Sequence, residues 1–233
     1  MNIFLDTVLP IILLTIVPYL LGSISFSIVF SKIFGKGDIR NHGSGNAGAT
    51  NVLRSVGVLP AALTFAFDFL KCAVSVYLGY MAANHFCQMH SWDLIMSETG
   101  KYIAGFLCMV GHMHPIFFGF KGGKGVVTLA AMAFLIDVRV AVILLSIFII
   151  IVVCTKYVSL GSCVVAALFP VMTFVISYFF GSLQSGNNIT PAYLITVTLA
   201  AAAIGGIIVY KHRANIKRLI NGTESKFSVA KKK

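Results

Sequence analysis

The chain has 233 residues, of which 58% are hydrophobic and only 11% charged, and its mean hydropathy is +0.92. Those values exclude an ordinary soluble domain and place the chain among integral membrane proteins. A formal net charge of +11 and a pI near 9.6 would suit nucleic acid, but the basic residues are mostly juxtamembrane and no nucleic-acid module is visible. Topology and anionic lipid heads account for them, so no nucleic-acid partner is expected.

Taken in chain order, uncharged apolar runs long enough to cross a bilayer as helices lie at about 9–31, 57–80, 102–119, 139–155, 160–180 and 192–210. The first lacks a basic n-region and a small-residue cleavage site, so it reads as a retained helix rather than a signal peptide. The second carries Asp68 and Lys71 on one helical face, where each can neutralise the other. A proton or ion relay would call for further intramembrane acids, which favours a structural bridge. Between Lys124 and Asp137 lies a seventh apolar segment, about two-thirds of a full span.

Charge decides whether that segment crosses. If it does, Lys32, Lys36, Arg40, Arg54, Lys121, Lys124, Lys156 and the tail cations Lys211, Arg213, Lys217, Arg218, Lys226, Lys231, Lys232 and Lys233 share one face. The other face keeps only Lys101 and Arg139, together with Asp6, Asp93, Glu98 and Asp137. The positive-inside rule asks for that asymmetry. The expectation is an all-α integral membrane protein of seven transmembrane helices, the fourth short and either tilted or thinning the bilayer. Its N-terminus lies outside and its C-terminus in the cytoplasm. Residues 1–233 form one membrane-embedded domain, with a basic cytoplasmic tail from about 211 to 233. The outer connections, Asn84 to Lys101 and Gly181 to Thr190, read as ordinary turns. Cys72, Cys87, Cys108, Cys154 and Cys163 lack metal-type spacing and read as packing residues.

The unusual polar chemistry falls on the cytoplasmic side. The first loop runs Gly43-Ser44-Gly45-Asn46-Ala47-Gly48-Ala49-Thr50-Asn51-Val52-Leu53-Arg54, glycines alternating with short hydrogen-bonding residues and closed by an arginine. Such a loop can cradle a phosphate, with Arg54 gripping it bidentately, whereas a plain flexible turn has no need of the arginine. The third span ends in Gly111-His-Met-His-Pro-Ile-Phe-Phe-Gly-Phe-Lys121-Gly-Gly-Lys124-Gly125. Either lysine alone would read as a membrane-edge anchor; the flanking glycines turn the reading towards an anion site. The spacing is not that of a P-loop, which disfavours ATP hydrolysis. His112 and His114 do not share a helix face, and no carboxylate completes a metal site beside them. For His112 a packing role weighs as much as a functional one, and for His114 it weighs more. Ser159 and Ser162 follow the fifth span; Ser159 alone is a natural helix N-cap and gains weight as a phosphate ligand only beside the other loops. His212, Asn215 and Arg218 fall along one stripe of a helical continuation, which otherwise reads as a basic membrane-surface tail.

Together these segments resemble the bacterial membrane acyl-phosphate:glycerol-3-phosphate acyltransferases, the PlsY family. The resemblance rests on Gly22-Ser23-Ile24, the Gly43 to Arg54 loop, Asp68 with Lys71, the Gly111 to Gly125 motif, Tyr157-Val-Ser-Leu-Gly-Ser162 and the His212 to Leu219 tail. Ser25 and Val127 depart from the family's usual proline and alanine and remove no polar group. The resemblance implies transfer of a fatty acyl group from acyl phosphate to the 1-hydroxyl of sn-glycerol 3-phosphate, giving lysophosphatidic acid and phosphate. It further implies a bacterial cytoplasmic (inner) membrane location, a site facing the cytoplasm, the lipid bilayer as surroundings, and other phospholipid-synthesis enzymes as partners.

No histidine here has an aspartate five residues on, the base pair of many glycerolipid acyltransferases, and no nucleophile triad replaces it. Acyl phosphate is already an activated mixed anhydride, so direct transfer with the donor phosphate taking the hydroxyl proton needs no acyl-enzyme, metal, coenzyme A or other cofactor. In that scheme Ser44, Arg54, Lys124 and Ser159 bind phosphate, with the backbone of Gly122, Gly123 and Gly125 close by. Asn46, Thr50, Asn51, His212 and Asn215 orient glycerol 3-phosphate, Gly45, His112 and Ser162 join the binding set, and His212 could instead be a base. An organic-phosphate transporter is the alternative, disfavoured because the polar motifs cluster on one face and no broken, repeated midplane helices are evident.

Overall fold

The computed structural model describes residues 3–92, 94–185 and 189–227; Asp93, the stretch 186–188 and the terminal Lys231, Lys232 and Lys233 of the charge reading lie outside them. No strand occurs among the described residues. The first apolar run is one broken crossing of 30 residues, Phe4–Ile33, made of a π-helical turn, then α1 (Leu9–Leu14), α2 (Ile16–Gly22) and α3 (Phe26–Ile33). Pro18 has no N–H for a helical bond, and Thr15 between α1 and α2 leaves helical geometry at φ −122° and ψ −66°. The second break is at Ser23-Ile24-Ser25, where Ser25 is extended at φ −89° and ψ 90°.

A break inside a bilayer exposes carbonyls that lipid cannot satisfy. At the second break Lys71 supplies the donor: its Nζ donates to Gly22 O at 3.0 Å and Ile24 O at 2.6 Å. Lys71 sits on α5 (Val58–Met89), the 32-residue axis of the N-terminal half, which packs on α1 to α3, on the short α4 (Ala49–Ser55), and on α6 (Thr99–Met113) and α7 (Val126–Ile136). Asp68 lies 2.7 Å from the same ammonium, both side chains being no more than 3% exposed. Its Oδ1 meets no partner in a hydrogen-bonding direction, so the pair is held by charge. The expected structural bridge is present, and it also mends the broken first crossing.

The C-terminal half adds α8 (Val138–Thr155), α9 (Val158–Ser185) and α10 (Pro191–Lys211), each packed on the next, and a short amphipathic α11 (Arg213–Ile220). Asp137 starts α8 by accepting from Arg139 N at 2.8 Å, and Thr190 starts α10 by accepting from Tyr193 N at 3.2 Å ahead of Pro191. Val142, Leu145, Ile149 and Val153 of α8 stand exposed, an outward apolar stripe of the kind lipid covers.

Among the described residues, five segments are long and apolar enough to cross a membrane: Phe4–Ile33, Val58–Met89, Val138–Thr155, Val158–Phe180 and Pro191–Lys211. α6, with 15 residues, and the apolar α7, with 11, are shorter; at 1.5 Å per residue they reach about 22 and about 16 Å. Three stretches differ from the sequence expectation, one being Gly181 to Thr190, whose residues up to Ser185 continue α9. The third apolar run stops being helical at Met113 rather than near 119, because Pro115 forces His114 out of the helical region, to φ −132° and ψ 67°. Much of the expected turn from Asn84 is helix, since α5 continues to Met89.

Candidate active site

The first loop is built around one side chain. A 3₁₀ turn at Ile39–Asn41 begins at Asp38, whose carboxylate accepts from Arg40 N at 3.0 Å. Asn51, buried on α4, fixes the rest: its Oδ1 accepts from Ser44 N at 2.9 Å, and its amide donates towards the carbonyls of Ile39, His42 and Asn46 at 3.2, 2.9 and 3.0 Å. The Asn51 amide is thus fully occupied in shaping the loop. Around it Ser44, Gly45 and Thr50 are exposed, while Asn46 and Arg54 are half-buried. Arg54 has no hydrogen bond or ion pair among the described residues, which leaves a whole guanidinium fork open.

The glycine loop folds back under α6. Gly123 N donates to His112 O at 3.0 Å and Gly122 N to Met113 O at 3.2 Å. A side chain at Gly123 would overlap the His112 ring at Nε2 and the Ala47 carbonyl, so this close approach between loops requires glycine. Gly125 takes a left-handed φ of 85° and so lets α7 start immediately afterwards.

Arg40 clamps the two loops together. Its Nη1 donates to Phe118 O at 2.7 Å and Lys121 O at 3.0 Å, while Nη2 holds Asp38 at 2.7 Å. The hydrogen bond from Arg40 holds the Asp38 carboxyl below its ordinary pKa, so the clamp stays charged. A cavity of about 560 Å³ opens between the loops, lined by Asp38, Arg40, Asn41, Gly45, Phe118 and Lys121 among others. Because Arg40 touches backbone alone beyond Asp38, Arg40→Ala is expected to raise KM for the phosphate substrate about 10-fold and to change kcat less. Steady-state kinetics on the purified variant check this, and an unchanged KM would contradict it.

Lys124 reaches the opposite way, to the C-terminal segment. Its Nζ donates to Asn215 Oδ1 at 2.5 Å; Asn215 Nδ2 donates to Glu224 Oε1 at 2.7 Å, and Arg218 Nε to Glu224 Oε2 at 2.6 Å. The Glu224 side chain is only 8% exposed. Burial would raise its carboxyl, but hydrogen bonds from Asn215 and Arg218, with the Ser159 hydroxyl nearby, hold it below the ordinary value. Burial and the Arg218 cation push Lys124 down from the ordinary lysine value, against the opposing pull of Glu224. Phe227 N donates to Lys156 O at 2.7 Å, tying the tail to the turn before α9.

His212 and Ser159 complete the group. His212, 3% exposed, faces Ile208 O with Nδ1 at 2.8 Å. A carbonyl accepts only, so Nδ1 carries the proton and Nε2 is left as an acceptor. Burial lowers the His212 pKa, with Lys124 adding to the shift, which favours the neutral ring. Ser159 Oγ is buried beside the Glu224 carboxylate, which its hydroxyl helps to keep charged. It belongs to the polar group built on Glu224 with Lys124, Asn215 and Arg218, a set of cations and donors of the kind that holds phosphate oxygens.

The sequence-predicted residues therefore fall into two groups. Lys124, Ser159, His212 and Asn215 gather at the tail, and Ser44, Gly45, Asn46, Thr50, Asn51 and Arg54 stand on loop 1. Gly122 and Gly123, with His112 behind them, link the two, and Gly125 follows at the start of α7. No hydrogen bond joins Lys124 to Ser44, Thr50 or Arg54 among the described residues. Ser162 turns inward and donates to Val158 O at 2.8 Å, so its hydroxyl serves its own helix. Sequence reasoning missed Glu224 and used Arg40 only for topology. An acid within a strongly basic tail and an Asp two residues before an Arg were the available signals.

A profile described as Glycerol-3-phosphate acyltransferase matches residues 12–222. A glycerol-3-phosphate acyltransferase of Finegoldia magna is 39% identical over 221 residues, covering 94% of this chain and 96% of the relative. One from Thermoanaerobacter sp. strain X514 is 38% identical over 215 residues, covering 92% and 94%. Among solved structures, the glycerol 3-phosphate form of PlsY, an integral membrane glycerol 3-phosphate acyltransferase, superposes with a TM-score of 0.72 at 36% identity, covering 94% of this chain and 96% of that one. Its lysophosphatidic acid form gives 0.70 at 35% identity. With a profile and relatives that span nearly its whole length and a fold shared with PlsY, the chain belongs to the PlsY family of integral membrane glycerol-3-phosphate acyltransferases.

Proposed function

We propose that this chain transfers a fatty acyl group from acyl phosphate to the 1-hydroxyl of sn-glycerol 3-phosphate, releasing lysophosphatidic acid and inorganic phosphate. The observation that carries the reading is the polar chain from Lys124 through Asn215 and Glu224 to Arg218 at the tail, with the buried Ser159 hydroxyl against Glu224, and Arg54 open on the first loop. Two cationic stations joined by a glycine loop suit a reaction with two phosphates, one on the donor and one on the acceptor. The glycerol oxygen forms its bond to the acyl carbon as the bond from that carbon to the phosphate oxygen breaks, and the hydroxyl proton leaves with the phosphate. Lys124 and the loop donors stabilise charge that gathers on the departing phosphate. His212, neutral with Nε2 open, accepts a hydrogen bond from glycerol 3-phosphate and orients it.

In the same reading α6 and α7 count as crossings, giving seven, with the N-terminus outside. Loop 1, the glycine loop and the tail then face the cytoplasm of a bacterial inner membrane, where both phosphates are met. Incubating the purified, detergent-solubilised chain with acyl phosphate and labelled glycerol 3-phosphate tests the reading. Lysophosphatidic acid should form with acyl phosphate; formation only with acyl-CoA or acyl carrier protein donors would overturn the choice of donor.

The pKa directions also set a pH profile. His212 lies below the ordinary histidine value of about 6.5, so protonation removes its acceptor only at lower pH, and kcat/KM falls on the acid side below that value. Lys124 lies below the ordinary lysine value, so it loses its charge sooner as pH rises, and the alkaline limb comes below about pH 10.4. Because the substrate phosphate itself titrates near pH 6, the check is the difference between wild type and His212→Asn. An acid limb identical in both would remove His212 from the profile.

A further inference from the structure

Behind the glycine loop lies a buried charged group that the reaction as drawn does not use. Lys71 Nζ, besides its two carbonyls and Asp68, faces His112 Nδ1 at 3.3 Å. An ammonium donates and never accepts, so a hydrogen bond here makes Nδ1 the acceptor. The charges agree. Asp68 Oδ1 is 2.7 Å from Lys71 and 3.8 Å from His112 Nδ1, and one carboxylate balances one cation; a protonated imidazole would put a second positive charge against the ammonium in a buried site. The ring is then neutral with its proton on Nε2. That edge lies against Gly123, where an added side chain would overlap it, one residue before Lys124. Among the described residues no protein acceptor takes the Nε2 proton.

We propose that Lys71 is a positioning residue for acyl transfer: it locks His112 in the Nε2–H tautomer and so delivers an N–H donor to the phosphate held by the glycine loop. The inference rests on the proposed phosphate chemistry of that loop, while the tautomer itself does not. Lys71 has a double task, closing the broken first crossing and fixing which edge of His112 donates. A neutral side chain could not donate to three acceptors at once from this position.

The test is nitrogen-15 NMR of the full chain in detergent, labelled at histidine, with the His112 signals identified by their loss in His112→Gln. The wild type should show His112 neutral, protonated on Nε2 alone, and the Nε2–H signal should move on adding sn-glycerol 3-phosphate. In Lys71→Met the Nδ1–H form should appear and kcat/KM should fall about 10- to 100-fold, the range of one hydrogen bond to a charged group. Lys71→Arg, which keeps a donor facing Nδ1, should restore the tautomer and part of the activity. A wild-type ring protonated on Nδ1, a tautomer unchanged in folded Lys71→Met, or an Nε2–H signal indifferent to glycerol 3-phosphate would each overturn the proposal. Should Lys71→Met fail to fold, the wild-type spectrum with Lys71→Arg decides. If the tautomer and its response to glycerol 3-phosphate hold while acyl phosphate is not a donor, only the donor assignment falls.

Discussion

Lys124→Met is expected to lower kcat/KM by about 10²- to 10³-fold, the usual loss when one preorganised donor to developing charge is removed. The fold should survive. Lys124 is pushed down by burial and by the Arg218 cation, so its removal relieves a like-charge contact while Glu224 keeps Asn215 and Arg218 as partners at 2.7 and 2.6 Å. Lys124→Arg should not restore full activity, because a planar fork cannot reproduce the single 2.5 Å donation to Asn215. The measurement is kcat/KM alongside the thermal midpoint in detergent. Turnover within about threefold of wild type, at an unchanged midpoint, would remove Lys124 from the chemistry.

The second large effect concerns stability. Asp68→Leu leaves an ammonium that is 3% exposed without its counter-charge, and breaking a buried pair from one side costs about 3–5 kcal/mol. The cost of an unpaired lysine at the bilayer centre, about 2.5–3.5 kcal/mol, points the same way. Asp68→Leu with Lys71→Met removes both charges, so the double variant should lose less than the two singles summed. It should still fall short of wild type, since Gly22 O and Ile24 O lose the donor they share, at about 1–3 kcal/mol for each orphaned carbonyl. Unfolding by heat or by a harsh detergent reads all three. An Asp68→Leu protein as stable as wild type would show that the carboxylate contributes nothing to holding the break.

Much of this was legible in sequence because membrane helices advertise themselves through length and apolarity. The five long crossings needed nothing more. The short pair was harder: α6 ends where Pro115 dictates, and hydropathy does not register that backbone constraint. Lys124, Asn215, His212 and Ser159 stood out as candidates because cations, amides and hydroxyls near glycines on one face are few in so apolar a chain. Their pairing was not legible, since Lys124 meets Asn215 across 91 positions of sequence. The same holds for Asn51 and Ser162. A side chain that binds a ligand and one that closes its own loop or helix have identical letters, and only the acceptor in reach separates them. Arg40 was hidden for a related reason, because its partners are the carbonyls of Phe118 and Lys121 and a carbonyl leaves no mark in composition.

Glu224, held by Asn215 and Arg218 and followed by the Phe227 to Lys156 bond, closes the tail group of the proposed site and lies past the last helix. During synthesis, loop 1 and the glycine loop reach the membrane surface long before residue 224 leaves the ribosome. Until then Arg218 and Asn215 have no carboxylate to order them, and the half-made protein holds two cationic loops without a finished enzyme between them. On the proposed site, assembly of the membrane body precedes completion of the tail group, and a nascent chain halted before residue 224 is expected to be inserted in the membrane without turning over substrate.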